Sequence, residues 1–401
     1  MTSTRQRWWH RLWGWLEGAQ ASRTSYFLIV ASTLALTAIG VIMVLSASSV
    51  ENIGGQGSYA SLTSQGVYAV VGLVMMFWLS RWRPDTLRRY SWILVIAAIV
   101  LLVLVFTPLG REINGNRNWI FIGGFSFQPS EAAKLALAVW GAHILAVKER
   151  LLTSFWHTVI PLVPVGVLIV LLVLLGKDLG TVLVLLTVLA ALLFTSGFRL
   201  RYLFAGGAVG LVAVAAATLT SENRRVRIDA WMGQCDHVTD PCYQYEHGIY
   251  ALATGGWWGA GLGQSRQKWS YIPEAENDFI FTILGEELGL IGALLVIGLF
   301  VALTIGLFRV AYRADNLFVR VCTGAIMAWL IGQAFLNIAM VTGLLPVIGV
   351  PLPFISAGGS ALMMALMAVG VVLSFARDER RRALESESTP STTTPKKGTV
   401  A

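Results

Sequence analysis

The residues best placed to do chemistry lie in one stretch, Tyr271 to Gly289, YIPEAENDFIFTILGEELG. A loop bearing Pro273, Glu274 and Glu276 reaches Asp278 and passes without a break into a long apolar segment, so a carboxylate sits at the lip of what reads as a membrane helix. An acid there is costly unless it faces protein or water, which makes it a candidate general base. The same position supports a structural role: Asn277 or Asp278 as the N-cap of the helix, with the acid favoured by the positive end of the dipole.

Four further clusters stand beside it. In 114–137, NGNRNWIFIGGFSFQPSEAAKLAL, Pro129 and Ser130 make a good helix start, and Glu131 and Lys134 fall on one face of the helix that follows. Glu131 could simply favour the helix N-terminus while Lys134 snorkels outward. In 176–181, GKDLGT, two apolar runs leave almost no room for a loop, so Lys177 and Asp178 are held near membrane depth. Lys134 with Asp178 is the economical pairing, a structural ion pair inside the membrane. The third cluster is a long polar loop with Arg224, Arg225 and Arg227 at its start, then the glycine-rich, aromatic TGGWWGAGLGQSRQKWSYIP carrying Arg266 and Lys268. These cations suit a phosphate or pyrophosphate, with pairing to Glu222, Asp229, Asp236 and Asp240 as the plainer account. The fourth is 343–363, GLLPVIGVPLPFISAGGSALM, whose prolines and glycines forbid a helix; backbone of this kind is tolerated at membrane depth only where it is buried in protein or lines a cavity.

The elements that must position these groups follow from composition. Of 401 residues, 56% are hydrophobic and 13% charged, far too apolar for a water-soluble fold. Apolar runs at 26–46, 66–80, 91–107, 130–147, 156–175, 179–196, 202–219, 279–308, 318–342 and 358–376 predict an all-α polytopic membrane protein of about ten transmembrane helices. Arginine and lysine concentrate before the first run and in every second loop, which places both termini and those loops in the cytoplasm. The net charge of +8 therefore needs no nucleic acid. Asp278, the large loop 220–277 and the loop 343–357 face outward.

Residues 1–25 are expected to form a cytoplasmic segment whose Trp8, Trp9, Leu12, Trp13 and Leu16 lie on one face of an interfacial amphipathic helix. Residues 26–376 form the membrane domain, and 377–401, rich in Ser, Thr, Glu and Pro, read as a disordered tail. Cys235 and Cys242 share the outer loop and would pair in an oxidising compartment. No cluster has metal-ligand spacing.

An outward groove with one carboxylate, nearby cations and access from lipid suits group transfer from a polyprenyl-pyrophosphate donor: the carboxylate takes the proton of an acceptor hydroxyl and the cations offset charge on the departing pyrophosphate. Glu286, two turns below Asp278 on the same face, reads as an anchor within the bundle, and Glu287 lies off that face.

At these residues the chain resembles the SEDS family of bacterial cell-wall proteins (shape, elongation, division, sporulation). The matching pieces are NRNWI, QPSEAAKLAL, GKDLGT, ALATGGWWGAGLG, PEAENDFIFTILGEELG and GLLPVIGVPLPFISAGGSAL, in the family's order. The resemblance implies a peptidoglycan glycosyltransferase that polymerises lipid II onto a lipid-linked glycan chain at the outer leaflet of the bacterial cytoplasmic membrane. It implies as partners a class B penicillin-binding protein and other division proteins, with the division septum as location, because GLGQSRQKWSYIPEA is more similar to the division members than to the elongation members. It assigns the catalytic role to Asp278 and the family's polar positions to Trp119, Glu131, Lys134 and Asp178. Trp119 and Glu131 thereby join Arg224, Arg227, Arg266 and Lys268 as candidate substrate or pyrophosphate contacts. It implies no certain cofactor; a divalent cation, Mg or Mn, on the pyrophosphate stays open. Glu276 and Asn277 stand where the family commonly has His and Thr. Two other readings remain, a transporter (flippase) of the lipid-linked precursor and a non-catalytic scaffold of the division machinery.

Overall fold

The computed structural model describes residues 21–48, 60–113, 115–122, 125–219, 222–234, 240–268 and 275–388. In chain order the helices are α1 Ala21–Ser48, α2 Ala60–Leu79, α3 Pro84–Leu104, α4 Pro129–Val147, α5 Phe155–Val159, α6 Leu162–Leu175, α7 Leu179–Thr195, α8 Leu200–Leu219, α9 Glu222–Trp231, α10 Asp240–Gly255, α11 Ile280–Arg313, α12 Leu317–Val341 and α13 Gly359–Ser388. Six of them are long and apolar enough to cross a membrane, and α2, α6, α7 and α8 are shorter apolar helices. Each of the ten expected spans is thus occupied by an apolar helix, and the protein is a multi-pass membrane protein.

A small three-stranded antiparallel sheet, β1 Gly110–Ile113, β2 Asn116–Ile122 and β3 Phe125–Phe127, fills the loop between α3 and α4. Its register sets Arg111 opposite Trp119 and Ile120 opposite Phe127. The sheet is pinned to the bundle by Arg117, which donates to the carbonyls of Val105 and Thr107 at the end of α3 (3.0 and 2.8 Å) and through its backbone N–H to Gly176 (3.0 Å).

Packing in a bilayer gains little from apolar burial, so close backbone approach carries more of the contact. The tightest pairing, α2 on α13, shows this: Gly370 lies against the backbone of Met76 and Gly72 against Leu366 and Met363. Around that pair α1 packs on α11 and α13, α3 on α4, and α12 on α4, α7 and α11.

Two expectations change. The outer loop 220–277 contains two helices, α9 and α10, whose mixed polar composition hides them from an apolar-run reading. The expected tail from 377 is helical through Ser388, because Arg381 and Arg382 pair with Asp378, and Arg381 also with Glu385, at helical spacing. The N-terminal amphipathic segment up to residue 20, the Cys235–Cys242 pair and the chain from 389 onward lie outside the described residues.

Candidate active site

The segment 343–358 is not helical, as its prolines and glycines predict. Its backbone groups would be ruinous in hydrocarbon without partners, and side chains from three helices supply them. Asn337 on α12 donates to Val350 O (2.7 Å) and Gln333, one turn earlier, to Pro351 O (2.8 Å). Gln65 on α2 donates to Ser356 O and accepts from Gly358 N, both at 3.3 Å. Trp231 on α9 donates to Gly343 O (2.9 Å), and Ser356 Oγ accepts from Leu352 N (2.7 Å). This non-helical segment, here termed the re-entrant loop, is held mainly by neutral amides.

Asp278 is carried against that loop in the turns just before α11. Asn337 spends its second N–H on the Asp278 carbonyl (2.9 Å), and Ala357 N donates to Glu276 O (2.8 Å). The helix itself begins after Phe279, which occupies the N-cap position without a side-chain cap, so Asp278 is not the helix cap. Its carboxylate faces Gly349, where φ is +69°: a Cβ there would stand 3.3 Å from Asp278 Oδ2 and 3.8 Å from Arg227 Nη1. A side chain there would be strained by the left-handed backbone and would crowd the Asp278 carboxylate.

Arg227 comes from α9, which packs on the 343–350 segment through Arg227 and Trp231. Its Nη1 also reaches Val347 O at 3.5 Å, while Arg224, one turn earlier, donates to Lys177 O (3.1 Å) at the start of the α6–α7 turn. Burial pulls the Arg224 guanidinium below its ordinary value, Arg227 adds to this by repulsion, and Asp178 opposes it. Asp278, Arg224 and Arg227 therefore gather where α9, the re-entrant loop and the α6–α7 turn meet.

The other expected residues take different parts. Asp178 caps α7, accepting from Thr181 N and Thr181 Oγ1 (2.9 Å each), Gln128 Nε2 (2.9 Å) and Asn118 Nδ2 (3.1 Å). Lys134 does not pair with it. It turns the other way, to Glu131 Oε1 (2.8 Å) and Gln333 Oε1 (2.9 Å), with its ammonium 5.0 Å from the centre of the Trp329 ring. The geometric reason is that Lys134 and Glu131 share the α4 face turned to α12, whereas the α7 start already offers Asp178 four neutral donors. Glu131 is only 2% exposed and lines a small cavity with Gln333, Pro351 and Ser356 beneath the re-entrant loop. Trp119 is half-buried in β2.

Lys268 also departs from expectation. It is buried, with Nζ on Glu287 Oε1 (3.1 Å), Ser46 O (3.1 Å) and Gly263 O (2.8 Å), because the QSRQK segment folds back onto α11 and the end of α1. Arg266 keeps an exposed side chain, and its backbone N–H donates to Glu286 Oε1 (2.9 Å). Glu286 is an anchor, as expected. Glu287, set aside in the sequence, is buried and ion-paired. Gln65, Gln333 and Asn337 were also missed, although Gln333 and Asn337 stand four apart inside an apolar run, a spacing that puts two amides on one buried face. Among the described residues no group of three His, Cys, Asp or Glu could hold a metal ion.

Fold and site together define a polytopic helical membrane protein with an acid and two cations gathered around a non-helical segment between its last two apolar helices. A family model covering FtsW, RodA and SpoVE, described as "Cell cycle protein", matches residues 26–381, and the chain belongs to this family. It is 41% identical over 358 residues to the "Probable peptidoglycan glycosyltransferase FtsW" of Mycobacterium tuberculosis, covering 89% of this chain and 68% of that protein. It is 38% identical over 355 residues to the "Stage V sporulation protein E" of Bacillus subtilis, covering 88% and 97%. Among solved structures it is similar to the rod shape determining protein RodA of Thermus thermophilus (TM-score 0.66, 28% identity, 88% of this chain and 96% of that one). It is also similar to a chain from "Structural coordination of polymerization and crosslinking by a peptidoglycan synthase complex" (TM-score 0.71, 28% identity, 87% and 97%).

Proposed function

We propose that the chain is a peptidoglycan glycosyltransferase that polymerises lipid II at the outer face of the cytoplasmic membrane during division. Asp278 takes the proton from the 4-hydroxyl of the acceptor GlcNAc as that oxygen attacks the anomeric carbon of the lipid-linked glycan. The new C–O bond forms as the bond to pyrophosphate breaks, with inversion, and undecaprenyl pyrophosphate leaves with the electron pair. Arg224 and Arg227 offset its charge, so the groups act on opposite sides of one displacement. The observation that carries this reading is the convergence of the Asp278 carboxylate and the Arg227 guanidinium on Gly349 in the outer groove. The working unit includes a class B penicillin-binding protein that crosslinks the strands, in keeping with the synthase complex among the structural relatives. The septum is the expected location.

The test is polymerisation of lipid II by the purified protein with its cognate penicillin-binding protein, wild type against Asp278→Ala. Loss of a general base lowers the rate by roughly 100- to 10,000-fold. Glycan strands from both proteins would place the chemistry elsewhere. Strands from neither, with flipping of labelled lipid II in liposomes, would make the protein a transporter.

A further inference from the structure

We infer that Lys268 is a positioning residue for Asp278, acting through a buried latch on the first segment of α11; this rests on Asp278 being the base. The argument begins with a break. At Gly289 φ is +68° and ψ −170°, values outside any helix, so groups on either side lose their helical partners. The glycine-rich segment of the outer loop replaces them. Ala260 N and Gly261 N donate to the carbonyls of Glu286 and Glu287 (2.9 and 3.0 Å), while Leu290 N and Ile291 N donate to Gly256 O and Trp257 O (2.9 and 3.4 Å). Gly259 and Gly289 lie so close that a Cβ on either would overlap the other's backbone. The stretch from Ile280 to Leu288 and the first residues after Gly289 are therefore joined through the outer loop rather than by a continuous helical ladder.

Side chains complete the fastening. Glu286 accepts from Ser265 Oγ (2.5 Å) and Arg266 N (2.9 Å). Glu287 accepts from Ser46 Oγ on both oxygens (2.6 and 2.7 Å), from Ser265 N (3.4 Å) and from Lys268 Nζ (3.1 Å). The Lys268 and Glu287 side chains are 1% and 0% exposed. An ammonium has three donors. Those of Lys268 are taken by Glu287, Ser46 O and Gly263 O, so none remains for a pyrophosphate. The end of α1, the outer loop and the half-helix thus meet at one ion pair, and Asp278 stands at the half-helix's other end, already held by Asn337. A shift at Glu287 is transmitted along a short rigid rod to the carboxylate.

A double-mutant cycle on lipid II polymerisation tests this, with wild type, Lys268→Met, Glu287→Gln, the double variant, and Asp278→Ala in parallel. Lys268→Met leaves a buried carboxylate uncompensated, and the half-helix moves to relieve it. A displacement of about 1 Å lowers kcat by roughly 100-fold with KM for lipid II little changed. The double variant, with two neutral side chains of similar shape, recovers most of that loss. A raised KM without recovery in the double variant would make Lys268 a substrate contact, and a wild-type kcat in Lys268→Met would remove the latch from catalysis. Should Lys268→Met not fold, Ser46→Ala keeps the ion pair and the bond from Lys268 to Ser46 O, and removes the hydroxyl that donates to both Glu287 oxygens. It is expected to lower kcat alone, and an unchanged kcat there overturns the proposal. Activity in Asp278→Ala defeats the base assignment by itself, whatever the cycle shows.

Discussion

Asp278 and Arg227 meet at a glycine, where a Cβ would crowd the carboxylate and strain the left-handed backbone. In the proposed mechanism the carboxylate serves the incoming hydroxyl and the guanidinium the outgoing phosphate, so their substitutions should separate. Arg227→Ala removes a charge-assisted hydrogen bond, worth about 1.5–3 kcal/mol, and is expected to lower kcat/KM by roughly ten- to a hundred-fold. Arg227→Lys should recover only part of this, because an ammonium lacks the planar fork that binds two phosphate oxygens. Steady-state polymerisation over a range of lipid II concentrations checks both variants, and full activity in Arg227→Ala would take the arginine out of the site. Asp278 itself was legible in the sequence, since a carboxylate at the edge of an apolar run has few inexpensive explanations. Lys268 was misread for a general reason: a cation beside glycines and aromatics looks the same whether it turns outward to a ligand or inward to an acid twenty residues on.

Helix α12 shows how an element can hold a site without touching substrate. Gln333 and Asn337 face the re-entrant loop one turn apart and bond Pro351, Val350 and Asp278 carbonyls. Asn337→Leu leaves two buried carbonyls without donors and is expected to destabilise the protein by about 1–3 kcal/mol per lost partner. Thermal unfolding in detergent should show the loss, together with lower polymerisation, and an unchanged melting temperature would contradict the role. At this scale legibility followed periodicity. The spans could be placed because twenty apolar residues have one common use in a chain this hydrophobic. Helices α9 and α10 and the small sheet were not seen: Glu222–Trp231 carries three arginines, and the strands are short and interrupted by glycine. What fixes them is tertiary, Arg117 on the α3 carbonyls and Trp231 on Gly343, and no local pattern announces such contacts.

The whole molecule is oriented by its arginines, with the groove outside. Trp258 is 82% exposed beside the glycine-rich segment and offers a place to check this. In a variant with Cys235 and Cys242 replaced by Ser, Trp258→Cys should be labelled in intact cells or spheroplasts by a membrane-impermeant maleimide; Cys322, fully buried, stays silent. Labelling only after permeabilisation would invert the topology. The break at Gly289 bears on the same outward face. Uninterrupted, α11 from Ile280 to Arg313 would be ~51 Å long at 1.5 Å per residue, far more than a hydrocarbon layer of ~30 Å requires. A helix that long must tilt as the bilayer thins or thickens, and a rigid one would swing Asp278 with it. With the upper segment and the first residues of the lower one both fastened to the outer loop, only the part of α11 beyond Ile291 can tilt with the lipid while Asp278 keeps its place. The same glycine that interrupts the helix therefore insulates the reaction centre from the thickness of the membrane in which it works.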